Sequence, residues 1–346
     1  MKKILALLLA AVMLLALAAC GTTNDTTTEP PAGTDAPATE PAESPADEGG
    51  DADGEVLKVG VCQLAVHPAL DAATEGFVDA LETALGDKVE VIVQNAGGEQ
   101  NNCTTIIDGF VADGVDLILA NATAPLQAAH SATADIPILG TSITDYATAL
   151  NIDNWTGTVG NNISGTSDLA PLDQQAALIK ELFPDAVNVG LLYCSAEPNS
   201  VYQIETISGM LEELGFTCTP FAFTDVNDLA SVTQSACDSS DVIYIPTDNT
   251  AAANTESIAN VVLPAGVPVV TGESNLCAGC GVATLSIDYF ELGQITGEMA
   301  LKILTEGADI STMPVEFAPN VTKMYNAANC ETLGITAPEG FTAIEG

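Results

Sequence analysis

His67 is one of only two histidines in the chain, and it stands at a junction. In QLAVHPALDAATEGF (63–77) it follows the apolar run VLKVGVC (56–62) and precedes a helical pattern that opens with Pro68. An imidazole placed there could act as a base, a metal ligand or a contact to a bound solute. Catalysis would need a nucleophile and an orienting partner, and no GxSxG, HExxH or Cys-His arrangement accompanies it. The expected role is therefore to pack against, or hydrogen-bond, a solute, with a ring edge suited to an aromatic guest. His130, inside LQAAHSAT, is expected at the surface or in packing.

Cysteines and charge narrow the chemistry further. Beyond Cys20 the chain scatters Cys62, Cys103, Cys194, Cys218, Cys237, Cys277, Cys280 and Cys330, in a body too large for a disulfide scaffold. Cys62 and Cys194 end apolar runs and read as buried thiols. Cys277 and Cys280 form the one close pair, but a zinc site would need a second pair or nearby histidines. A local disulfide or free thiols are expected there, with no metal and no cofactor. The chain carries 47 acidic residues against 7 basic ones, for a formal charge of −40, which argues against nucleic acid. Every basic residue is lysine, so a bound anion cannot be gripped by a guanidinium fork. Helix N-termini, hydroxyls, amides or His67 must hold it.

The elements that position these residues alternate. VLKVGVC (56–62), KVEVIVQN (88–95), DLILAN (116–121) and IPILG (136–140) read as strands. PALDAATEGFVDALETALG (68–86) and NNCTTIIDGFVADG (101–114) read as helices, the first with Leu70, Ala73, Phe77, Leu81 and Leu85 at helical spacing. This rhythm predicts βαβ units and parallel sheets. It then restarts. VNVGLLYC (187–194), PNSVYQIETISGMLEELG (198–215), DVIYIPTDN (241–249) and VPVVTGES (267–274) repeat the earlier pattern, offset by roughly 130 residues for three of the four pairs. Two similar α/β lobes are predicted.

Ligands of open parallel sheets sit beyond the carboxyl ends of the strands. That rule selects eight polar loops. In the first lobe they are QLAVHP (63–68), NAGGEQNN (95–102), NATAP (121–125) and TSITD (141–145), the last carrying Thr144. In the second they are SAEPNS (195–200), TDVND (224–228), PTDNT (246–250) and GESN (272–275). The same residue types also serve as turns and N-caps. Thr123-Ala-Pro125 reads as a cap followed by proline, and Asn249 or Thr250 suits the cap of the next helix.

The chain opens with MKKILALLLAAVMLLALAAC: a basic start, an apolar run of signal-peptide length, then small residues. Leu17-Ala18-Ala19-Cys20 followed by Gly21 resembles a bacterial lipobox, which implies lipidation at Cys20. Residues 21–54 hold no large apolar side chain and are expected to form a disordered acidic tether.

With lipobox, tether and two βα lobes, the chain resembles the solute-binding proteins of ABC importers. Residues 56–336 are similar to the tryptophan/tyrosine-type family, through QLAVHPALD, VDLILANATAPLQAA, GTSD (165–168), EPNSV (197–201), YIPTDNT (244–250), IDYFELGQITGEMALKIL (287–304), MPVEF and ETLGI. The resemblance implies a type I periplasmic-binding-protein fold: two Rossmann-like lobes with parallel sheets, a multi-strand hinge, and an aromatic amino acid buried as the lobes close. Its implied ligand set is Gln63, His67, Leu70, Asn121, Ala122, Thr123 and Thr144 from the first lobe. From the second come Ser195, Glu197, Asn199, Ser200, Thr247, Asp248 and Asn249, with Glu273 and Asp288 nearer the hinge. A zwitterion fits these residues, since its ammonium needs acids and its carboxylate needs donors. The expectation is Asp248 or Glu197 for the ammonium and the helix start at Thr123 for the carboxylate. Trp155 is expected in packing, and Tyr146, Tyr193 and Tyr289 are the nearest rings for a guest.

The expected organisation is a signal at 1–20, a linker at 21–54, an N-terminal lobe from 55–165 plus 288–307, and a C-terminal lobe from 166–287 plus 308–346. The expected protein is a monomer, lipid-anchored at the outer face of the cytoplasmic membrane. It would deliver a small zwitterion to an ABC permease with its ATPase. A surface receptor that senses the solute, or one for another flat solute, is the alternative. An extracellular enzyme lacks a recognisable nucleophile set, phosphate loop or metal cluster.

Overall fold

Period-two alternation in the apolar runs builds the first sheet of this computed structural model, which describes residues 56–344. The signal, Cys20 and the tether expected at 1–54 lie outside the described residues. Strand β1 (Leu57–Gln63) leads into α1 (Pro68–Leu85), β2 (Val89–Asn95), α2 (Gln100–Asp113) and β3 (Leu117–Asn121). There follow α3 (Thr123–Ala132), β4 (Ile138–Ile143), α4 (Tyr146–Leu150) and β5 (Ile163–Ser167). Along β1 and β3, Val59, Val61, Leu117 and Leu119 point to one face and pack with Phe77 and Leu81 of α1. Cys62, Ile118 and Ala120 point to the other and pack with Cys103, Ile107 and Phe110 of α2 and Leu126 of α3. Both faces are covered, which is why these strands read as continuous apolar runs.

The second lobe repeats the scheme. It runs α5 (Leu172–Leu182), β6 (Asn188–Cys194), α6 (Pro198–Glu213), β7 (Thr217–Phe223), α7 (Val226–Cys237) and β8 (Val242–Ile245). It continues with α8 (Asn249–Ala252), α9 (Thr255–Ala265), β9 (Val269–Thr271), α10 (Ser274–Gly279) and β10 (Ala283–Ser286). The chain closes with α11 (Tyr289–Glu306), β11 (Glu316–Phe317), β12 (Thr322–Tyr325), α12 (Ala327–Leu333) and β13 (Thr342–Ala343). One sheet is ordered β11-β5-β4-β3-β1-β2 and is parallel throughout. The other is ordered β13-β12-β10-β9-β8-β6-β7, parallel except where β12 meets β10.

The chain passes between the sheets three times: from β5 to α5, from β10 to α11, and from β11 to β12. Two expected boundaries move as a result. The limit at 165/166 shifts because β5 stays in the first sheet through Ser167. The limit at 307/308 shifts because β11 pairs with Thr166 and Ser167. The physical reason is the apolar content of the stretch before β11: Ile310 and Val315 are buried in the core of the first lobe, and Met313 packs against it.

Helix α11 returns to lie on α1, and the two touch backbone to backbone. A Cβ on Gly76 would collide with the Phe290 carbonyl, and one on Gly293 with the Ala73 carbonyl. Glycine at both positions lets the start of α11 sit beside the start of α1.

Candidate ligand site

A small cavity opens where the carboxyl ends of the two sheets meet. His67, Ala69 and Leu70 line it from the first lobe, and Thr247, Asp248, Asn249, Ala252 and Glu273 from the second. Asp168 and Tyr289, from the first two crossings, complete the lining. Its volume is about 10 Å³, roughly the room one water needs. A larger solute enters only if the lobes part.

One side-chain hydrogen bond crosses from wall to wall. The N-cap of α1, His67, gives no capping bond, so its ring is free to cross the gap. Its Nε2 lies 3.2 Å from Asn249 Oδ1. The Asn249 amide is oriented by its own donation to Glu197 Oε2 at 2.8 Å, which leaves Oδ1 as the acceptor. His67 therefore carries its proton on Nε2, and Nδ1 is a bare acceptor, buried and without a protein partner. Burial pulls the His67 pKa below its ordinary value, against the Asn249 bond and the charges of Glu197 and Asp71. The ring is neutral at pH 7.

Three carboxylates converge on the cavity, each at most 3 % exposed. Asp248 caps α8, accepting from Ala251 N at 2.8 Å and from Cys194 N at 2.7 Å. Glu273 caps α10 through Asn275 N, at 2.6 Å, and Leu276 N. Asp168 accepts from two hydroxyls, Tyr289 at 2.9 Å and Thr144 at 3.3 Å, and among the described residues has no backbone donor beyond its own N–H. Burial pushes Asp168 up to about 6. Burial, joined by the Glu197 charge, pushes Asp248 up to about 7, and burial does the same for Glu273. No lysine lines the cavity. Opposite these acids, α1 presents its first turn uncapped. Its first backbone bond is Asp71 N to His67 O, so the N–H groups of Ala69 and Leu70 have no intrahelical acceptor.

Of the sixteen ligand residues implied by resemblance, six line this cavity: His67, Leu70, Thr247, Asp248, Asn249 and Glu273. Others support them from behind. Gln63 bonds Ala65 O, Asp71 and Thr74, tying the first loop to α1. Asn121 donates to Leu70 O at 2.8 Å. Thr144 bonds Asp168, Asn199 bonds Thr247 O at 3.1 Å, and the Ser200 hydroxyl lies against Asp248.

Five expectations are corrected. Glu197 is saturated by the backbone and side chains of Asn249 and Thr250 and by Asn199, so it braces the loop and cannot take an ammonium. Ala122 and Thr123 are buried away from the cavity, so the helix start of α3 is not a carboxylate seat there. Ser195 is exposed and bonds Phe223 O. Asp288 is exposed and caps α11 through Glu291 N. Tyr146 faces Trp155 in a parallel stack, with centroids 6.3 Å apart, inside the first lobe, and Tyr193 packs in the second. Tyr289 alone of the three rings reaches the cavity. His130 is exposed.

Asp168 was missed among the site residues, although GTSD marks it. The one mark it carried was its place just past the expected lobe boundary at 165/166, since the strand before it does not read as one. Ala69 and Ala252 carried no chemical signal.

A family model described as ABC transporter substrate binding protein matches residues 58–344. A tyrosine-binding protein of Clostridioides difficile (strain R20291) is 32% identical over 260 residues, covering 74% of this chain and 75% of its own. The structure of an ABC domain in complex with L-Trp from Streptococcus pneumonia is 32% identical, with TM-score 0.79, over 83% of this chain and 99% of its own. A ligand-free, open substrate-binding protein with adhesive properties from Clostridium difficile is 34% identical but has TM-score 0.66, over 84% and 99%. At nearly equal identity the lobes here superpose better on the ligand-loaded relative than on the open one, in keeping with the His67–Asn249 contact across the gap. More distant solved structures share the type I periplasmic-binding-protein fold. The relatives are binding proteins, which removes the enzyme reading. The chain belongs to the ABC transporter substrate-binding protein family.

Proposed function

We propose that this protein captures an aromatic amino acid, tyrosine or tryptophan, between its lobes and hands it to an ABC permease with its ATPase. In this reading it works as a monomer, held by lipid on Cys20 at the outer face of the cytoplasmic membrane. The observation that carries the proposal is the pairing of buried acids, lacking any counter-cation, with an uncapped helix start across the same cavity. Buried carboxylates favour a cation that replaces lost water. Asp168 suits an ammonium best, because Asp248 and Glu273 already accept two backbone N–H groups each. The Ala69 and Leu70 amides suit the carboxylate, at the positive end of an 18-residue helix. The Tyr289 ring and Leu70 offer apolar surface, and His67 Nδ1 accepts from a phenol or indole N–H. The Trp and Tyr relatives support the aromatic choice.

The test is a thermal-shift and calorimetric panel of tyrosine, tryptophan, leucine, a hexose and a nucleobase, with tyramine and 3-(4-hydroxyphenyl)propionate as truncated analogues. The aromatic amino acids should raise Tm, and each truncated analogue should bind at least about tenfold more weakly. Stabilisation by the hexose or nucleobase alone would overturn the proposal, as would tyramine binding as tightly as tyrosine.

A further inference from the structure

We propose that Cys62 and Cys103 form a disulfide that staples β1 to α2 beneath the loop carrying His67. Both side chains are fully buried. Cys62 and Gly60 share the face of β1 that α2 covers, and the two elements lie as close as a glycine allows. A Cβ built on Gly60 would stand 2.6 Å from the Phe110 ring. Helix α2 runs back along the strand, so the register follows from geometry. Phe110 sits over Gly60; Cys103, about two helical turns earlier, reaches Cys62, which is two residues further along β1 on the same face.

Both side chains belong to the same apolar core cluster, where the polar partner of Cys103 Sγ is Glu99 O of its own helix, at 3.8 Å. Cys277 and Cys280, the pair closest in sequence, stand at the other lobe's α10, where burial raises both thiols.

The oxidant is a small external disulfide. The thiolate of one of the two cysteines attacks one of its sulfurs and a thiolate leaves, taking up the proton that this cysteine released. The sulfur of the other cysteine, losing its own proton, then attacks the first in the mixed disulfide and expels the second thiol. Two protein thiols are oxidised by two electrons, and the external disulfide is reduced to two thiols. Because neither sulfur is exposed in the folded lobe, the exchange belongs to folding. The staple lies beside two backbone bonds that join the same segments, Ala96 N to Gln63 O at 2.9 Å and Gly98 N to Leu64 O at 2.8 Å. It would stiffen the base from which the loop to His67 springs.

The test uses the full chain with Cys20→Ser, reduced in urea and refolded in a glutathione redox buffer. It is then unfolded again without reductant, alkylated and weighed. Two of the eight body thiols should be protected, and peptide mapping should recover Cys62 joined to Cys103. The oxidised form should melt several degrees above the reduced form, and Cys103→Ala should erase that difference. Alkylation of every body thiol would overturn the proposal, as would a map joining another pair, such as Cys277 to Cys280. Cys62→Ala gives the same readout should Cys103→Ala fail to fold, and the map of the unsubstituted chain decides in either case.

Discussion

The two walls of the cavity are built from equivalent strand ends but offer opposite chemistry. The first lobe presents an uncapped helix start, an unpaired imidazole nitrogen and the apolar Ala69 and Leu70. The second presents Asp248 and Glu273, each spent on capping a short helix. Asp168 belongs to neither wall. It stands on the first crossing and is bonded by Tyr289 on the second. A duplicated unit would give two like walls; here the polarity is split, which under the proposed function would orient a guest with one positive and one negative end as the lobes meet. The acid least satisfied by backbone is the one placed on the hinge.

Removing that acid should give the largest effect. Asp168→Ala deletes a charge-assisted bond worth roughly 1.5–3 kcal/mol, so affinity for the cognate amino acid should fall about 10- to 150-fold by calorimetry. Asp248→Ala should cost less affinity and more stability, since it exposes two backbone N–H groups of the second lobe. Equal losses of affinity from both substitutions would break the contrast between hinge and wall.

The pH dependence sharpens the same contrast. Each cavity acid holds its proton more tightly in the folded, solute-free protein, at about 6 for Asp168 and about 7 for Asp248 and Glu273, than in the unfolded chain. The stability they contribute is therefore fully present below about pH 4 and is lost as pH rises through 6 to 7. An ammonium favours the ionised form, so binding should go the other way. Affinity should fall by about tenfold between pH 8 and pH 5, and Asp168→Asn should flatten that profile. A profile unchanged by Asp168→Asn would move the ammonium to another acid.

Much of this architecture was legible in advance, and the exceptions have a common cause. β1, β3, β6 and β8 are buried on both faces, and their apolar runs announce them. The run DVIYIPTDN ends as a strand at Ile245, where Pro246 lacks the N–H a further ladder bond would need. β5, ISGTS, gave no such signal although it is wholly buried. Its hydroxyls are satisfied internally, Ser164 on Met313 O at 3.0 Å and Thr166 against Thr296 at 2.8 Å. A strand that buries polar atoms in pairs looks like a loop in one dimension. Asp168 follows it directly and was overlooked with it. Glu197 fails in the reverse direction: its loop was found, but its five donors come from residues 2 to 53 positions away, and no spacing reveals them.

His67 tests whether the first wall does more than shape the gap. His67→Ala removes both the bond to Asn249 and the acceptor at Nδ1. Affinity should fall by about fivefold, in line with one neutral hydrogen bond of ~1 kcal/mol. His67→Gln keeps an acceptor and should recover part of it. The loss should be larger for tyrosine or tryptophan than for phenylalanine, which has no side-chain donor for Nδ1. An equal loss across the three would leave the imidazole only its role as a clasp to Asn249.

The smallest effect on binding is expected at Asp288, which directly precedes the cavity-lining Tyr289 at the start of α11 yet points outward. Its carboxylate accepts Glu291 N at 3.1 Å and caps α11. Asp288→Ala should leave affinity within about twofold, because nothing in the cavity touches it. It should still lower Tm by about 2–4 °C, as expected for the loss of an N-cap worth ~1 kcal/mol in a protein of this size. Asp288→Asn, which can still cap, should restore most of that difference. The two readouts separate an acid that faces the guest from one that only starts the helix bearing Tyr289. If Asp288→Ala weakened binding as much as Asp168→Ala while Tm held, the charge of the crossing as a whole, and not the buried hydroxyl-bonded carboxylate, would be what receives the cation.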